Sequence, residues 1–269
     1  MSAVYRLVKY AVSAHEERDA AKAASIPPGF YGNFPSSLGL YYLGDGQDYK
    51  SLRFYLGTLD QPAEKLYALT YHEAYGFRQM TLYSTLEFKP PVLAIAANEK
   101  RVSGNGLLTL PPLAEGQGHT FDERLKYNLR NNTHSFSAMI DRRAETFEWR
   151  EDKQLKPKIR RLVRFAGSEV ETVALWREGS VPNRQGRLAT FEFLGSGATG
   201  ELGARWALMA VVSVLRVCQS HGNALAGSQI HSMEAYISFQ SDHTEEARAN
   251  APQPFWGYNN PKSSDQPPT

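Results

Sequence analysis

Between Trp206 and Cys218 the chain reads WALMAVVSVLRVC, thirteen residues in which only Ser213 and Arg216 interrupt the apolar side chains. At 3.6 residues per turn, Trp206, Leu208, Met209, Val211, Val212, Val214, Leu215 and Val217 fall on every face, and a helix apolar all round has to be surrounded. A membrane span needs about 20 apolar residues, so the run is too short for lipid to be the surroundings. The sequence therefore predicts a buried helix over 201–219, with Glu201 in its first turn, Arg216 in its last and Gly222 as a left-handed cap. GSGATG before it reads as a tight turn leading into the helix. Its glycines lack the βαβ context of a dinucleotide-binding turn.

What precedes the helix is strand-like. LRFYLGTL, KLYALTYH, MTLYSTLEF and VLAIAAN carry branched and aromatic residues between the breaks DQP, YGF and KPP, and read as an antiparallel meander. Strands resume at SFSAMI, ETFEWR, IRRLVRFA, VETVALWRE and RLATFEFL, for at least eight in all. Residues 101–121, rich in Gly, Leu and Pro, read as a long loop over one end of a barrel. The fold class expected is mainly β, an antiparallel barrel enclosing one central hydrophobic helix.

Three regions frame this domain. Residues 1–29 read as an N-terminal helix, with Val4, Leu7, Val8, Ala11 and Val12 as its stripe, and a Pro/Gly-rich connection. The barrel is placed at 30–240. Residues 241–269 are acidic, then Pro-rich, and read as a disordered tail in which Phe255, Trp256 and Tyr258 offer a docking point.

Composition removes several functional classes. Thirty basic residues against 28 acidic give a net charge of +2, which leaves no large field for nucleic acid. Cys218 is the one cysteine of the sequence, which excludes an internal disulfide and a cysteine-based zinc site and fits a reducing compartment. Its apolar surroundings favour buried packing over a reactive thiol. Arg6 and Lys9 interrupt the apolar residues near Met1, unlike a secretory signal, so a cytoplasmic protein without a transmembrane segment is expected. The histidines are scattered singly, with no HExxH, and neither a metal site nor a cofactor is expected. The oligomeric state is left open.

The strand pair LRFYLGTL and KLYALTYH, the strand RLATFEFL and the helix ARWALMAVVSVLRVCQ together resemble the tubby C-terminal-like superfamily, which includes the phospholipid scramblases. The likeness covers residues 35–222. It implies a closed barrel of about a dozen strands around a central helix, and a basic surface patch for lipid head groups. The nearest counterpart of such a patch is KPKIRRLVRF, where Lys158 and Arg160 share a strand face and, helped by Lys156, form a fork for a phosphate. The charges would otherwise protect an edge strand.

Three functions follow as expectations. The first is a non-catalytic tubby-like protein that binds a lipid head group or small ligand, peripheral at an anionic lipid surface. The second is a cofactor-independent accessory enzyme or cyclase of a small-molecule, secondary-metabolite pathway, with Tyr71, His72 and His134 as its candidate catalytic residues at a barrel mouth. The third is a protein-interaction scaffold using the tail.

Overall fold

A computed structural model describes residues 26–45, 51–59, 64–74, 77–100, 104–112, 121–152, 158–167, 169–179 and 187–220. The expected N-terminal helix, Gly222 and the tail lie outside these residues.

Twelve strands follow one another: β1 Ser37–Asp45, β2 Ser51–Gly57, β3 Lys65–Ala74, β4 Phe77–Tyr83, β5 Val92–Asn98, β6 Gly106–Leu110, β7 Phe121–Asn128, β8 Thr133–Ile140, β9 Arg143–Asp152, β10 Ile159–Ala166, β11 Glu169–Glu178 and β12 Arg187–Phe193. Each pairs antiparallel with its neighbours in sequence, and β1 pairs with β12 to close the barrel. Closure removes the open edges that would otherwise invite another chain. Period-2 alternation sets which side chains enter: on β8 His134, Phe136, Ala138 and Ile140 are buried, and on β6 Gly106, Leu108 and Leu110.

After β12 the chain turns through α1 (Gly195–Ala198) and enters α2 (Gly203–Ser220). Gly195 has φ +49, and a Cβ there would collide with the Glu171 carboxylate, so glycine is required at this bend. Gly203 opens α2 with φ +80 and donates its N–H to the Gly200 carbonyl at 3.0 Å. The turn reading of GSGATG matches this geometry.

α2 fills the barrel. Every residue from Leu208 to Gln219 is buried, and the helix contacts β4, β5, β6 and β8. Hydrogen bonds add β3 and β9: Tyr71 donates to the Leu215 carbonyl at 3.1 Å, and the Trp149 indole donates to Ser213 Oγ at 2.9 Å. The central-helix expectation therefore holds, with two corrections. Glu201 lies before the helix, and Arg216 lies ahead of the last turn, which holds no basic residue. Arg216 is buried, bonded to Asn98 Oδ1 and Gln219 Oε1, so these contacts replace the expected end-of-helix placement. No helix among the described residues is long and apolar enough to cross a membrane.

The loop expected over 101–121 contains β6 and the start of β7. Five residues suffice for β6 because β5 and β7 supply its ladder on both sides.

Candidate functional site

Opposite charges enter the barrel on three adjacent strands. On β10 the residues Arg160, Leu162 and Arg164 alternate inward, across from Glu151, Trp149 and Phe147 of β9. Arg160 is 2% exposed; its guanidinium bonds Glu178 of β11 and, at 3.0 Å, Glu151 of β9, and lies 3.9 Å from Cys218 Sγ. Burial opposes its charge, but the fields of Cys218, Glu178 and Glu151 outweigh burial and raise its pKa. Arg164 forms a two-pronged pair with Glu145 at 2.6 and 3.0 Å and reaches Ser196 Oγ at 3.1 Å. Glu171 accepts the Ser196 N–H and hydroxyl, both at 2.7 Å. Burial pushes the Glu171 carboxyl up, but the Ser196 bonds and the Arg164 charge prevail and hold it below the usual range.

The two described members of the fork expected on the basic strand, Lys158 and Arg160, lie in different surroundings. Arg160 does share its face with Leu162, but that face is the barrel interior, and two carboxylates already occupy its guanidinium. Lys158 is exposed, while Lys156 lies outside the described residues. Arg161, on the outer face, pairs with Asp152 at 3.4 Å.

The proposed catalytic residues are not brought together either. Tyr71 points inward, bonded to α2, and burial drives its phenol well above its ordinary pKa, with Cys218 adding to the rise and Arg216 opposing it. His72, the next residue on the strand, takes the opposite face and is half-buried. His134 is buried on β8 with its ring 4.7 Å from that of Tyr127. Four strands separate β3 from β8 on the shorter way round the barrel, and α2 fills the space between. Among the described residues no cluster of metal-ligating side chains occurs.

Among the described residues, two pockets lie at the end where α2 begins. One pocket of about 360 Å³ is lined by Ala138 and Met139 of β8, Leu202, Trp206 and Met209 of the helix region, and the Glu123–Arg205 pair. Arg205 donates to Glu123 at 2.9 Å and to the Pro111 carbonyl at 3.1 Å. A second pocket of about 250 Å³ lies between Gly32–Ser36 and the turn Gly197–Gly203, and shares Gly203, Ala204 and Trp206 with the first. The Trp206 ring packs between Phe147 and Phe193 at 5.6 and 5.8 Å, and its buried Nε1–H has no hydrogen-bond partner.

The fold and these pockets define a helix-filled closed barrel with an apolar site beside the first turn of its helix. Compared with known proteins, the chain matches no family model, no curated protein and no solved structure. Sequence reasoning missed this site. Met139 sits outside any recognisable pattern, and Trp206 reads as one more residue of an apolar helix. The matched signs on β9, β10 and β11 were available: Glu145 and Glu151 flank the arginines on one side, Glu171 and Glu178 on the other.

Proposed function

We propose that the chain is a non-catalytic binding protein that holds an amphipathic, lipid-like small molecule at the barrel mouth. The observation that carries this reading is the mouth pocket of about 360 Å³, mostly apolar but carrying Tyr31, Glu123 and Arg205, set beside an interior already filled by α2. Ligand sites are typically concave, about 300–1,000 Å³, mostly apolar and equipped with a few polar groups that orient the ligand. Met139 and Met209 are flexible and polarizable, which suits an alkyl chain of variable shape. The tubby-like kinship expected from the sequence belongs to this reading and rests on the architecture alone. The cyclase reading loses ground because Tyr71, His72 and His134 do not converge.

Titration with the fluorescent fatty acid cis-parinaric acid tests the reading. The parent should bind it, and Ala138→Trp, which fills the pocket from β8, should weaken binding by about tenfold or more at a temperature where its circular dichroism spectrum still matches the parent's. Lys158→Glu should bind as the parent does. Loss of binding in Lys158→Glu with retention in Ala138→Trp would move the site to the basic strand, and absence of binding by the parent would end the proposal.

A further inference from the structure

The two mouth pockets are separated by one stretch of chain. Residues 29–36 cross the barrel end beside α2, with Tyr31 lining the larger pocket and Gly32, Asn33, Phe34 and Ser36 the smaller. The stretch is anchored on either side. Ile26 packs into a satellite cluster with Ala68, Tyr83, Val92 and Ile95, and the Ser36 carbonyl accepts the Phe193 N–H at 2.8 Å where β1 begins. Between the anchors the polar ties are few: Tyr31 Oη donates to the Pro112 carbonyl at 2.9 Å, and Asn33 exchanges two bonds with Tyr67 Oη at 2.7 and 2.9 Å. Gly29 and Gly32, at φ +68 and +78, bracket Phe30 and Tyr31; open space surrounds Gly29, whereas Gly32 sits close against Leu93, Phe34 and Tyr67. Phe30 itself is 45% exposed, so it holds the strap down weakly.

From this arrangement we infer that residues 29–36 are a hinged strap over a single groove, and that lifting it joins the two pockets into a site for a long-chain carboxylate. The inference deepens the binding function proposed above and rests on it. Size supports it: one pocket lies below and the other just above the lower bound of about 300 Å³ for a ligand site, whereas the joined groove falls well inside the range. Chemistry supports the head group. The groove crosses the first turn of α2, where Ala204 and Arg205 have N–H groups with no carbonyl one turn back within the helix. The partial positive charge of a helix N-terminus favours an anion there. Trp206, shared by both pockets and 2% exposed, has the unpartnered Nε1–H that an acceptor oxygen would satisfy once the strap lifts. The alkyl chain then lies along Met139 and Met209.

Stopped-flow binding of cis-parinaric acid and of its methyl ester to the full chain tests the strap and the head group separately. Tyr31→Phe removes the bond to Pro112 without removing the ring. Because the bond holds the strap down only in the empty chain, the variant should raise the association rate by about fivefold, leave the dissociation rate within about twofold, and so tighten binding. The methyl ester should bind more weakly than the acid. Ser36→Leu, on an exposed strap position at the smaller pocket, should weaken displacement of the probe by long-chain acids and leave displacement by octanoate unchanged. Unchanged rates in Tyr31→Phe overturn the gate, equal binding of acid and ester overturns the carboxylate, and equal loss of short and long chains in Ser36→Leu overturns the joined groove. Each of these leaves the binding function standing. A parent chain that binds neither probe removes both.

Discussion

The Trp149 indole on β9 donates a 2.9 Å hydrogen bond to Ser213 Oγ on α2, and Ser213 in turn donates to the Ala210 carbonyl at 3.0 Å. Wall and helix are joined here by a polar contact that is fully buried. Ser213 is the small polar interruption in the apolar run, and its oxygen is the acceptor that a buried tryptophan needs.

Ser213→Ala should therefore cost more than its one lost methyl-sized group suggests. The variant leaves the Trp149 N–H buried without an acceptor, a penalty of about 1–3 kcal/mol. Trp149→Phe in the Ser213→Ala background should be tolerated better than the sum of the two single changes. Chemical denaturation of the four proteins in a double-mutant cycle measures the difference.

Lys158 and Arg160, two residues apart, should respond oppositely to the same change. Arg160→Met leaves Glu151 and Glu178 facing the interior without their cation, and breaking a buried pair by removing one partner costs about 3–5 kcal/mol. Lys158→Met should change the denaturation midpoint by less than about 0.5 kcal/mol in free-energy terms, as expected of a surface position. Equal stability of the two variants would contradict the inward placement of Arg160.

Cys218 predicts an alkaline limit to stability. Burial raises its thiol to about 12, a rise that Arg160 partly offsets and Glu178 increases. An unfolded cysteine ionises near 8.5, so between there and about 12 the unfolded chain loses a proton that the folded chain keeps. By linkage the contribution is complete below the unfolded value and falls as pH rises through that window. Urea midpoints of the parent should drop more steeply above pH ~9 than those of Cys218→Ala. The native thiol should react with a disulfide reagent only as fast as the barrel opens.

The helix was legible because nothing else explains an apolar run too short for a membrane and too uniform for a surface. The strands at 133–140, 143–152, 159–166, 169–178 and 187–193 were legible from their branched and aromatic residues. β1 was not distinguished as a strand: SLGLYYLGD holds three of its residues as glycine or aspartate, and its register depends on β12, far along the chain. β7, FDERLKYN, was obscured by charge, because its outer face meets water while Leu125 enters the core. For the same reason the inward arginines looked like a surface patch: charge alone does not tell which side of a closed sheet it is on. The mouth pocket assembles residues from β7, β8, the strap and α2, a juxtaposition made by barrel closure and by no local pattern.

Closure itself sets an order of events. Eleven of the twelve ladders join strands adjacent in sequence, and the twelfth joins Ser37 to Glu192. During synthesis the strands emerge as a growing sheet whose two edges remain unsatisfied until β12 appears, and the helix that fills the barrel follows later still. Leu40, Phe54, Trp149 and Phe191, all buried in the finished protein, have no helix to cover them in that interval. Until the stretch from Arg187 to Ser220 has been made, the growing sheet therefore keeps an open edge, the kind of exposed surface that makes incomplete folds prone to aggregate.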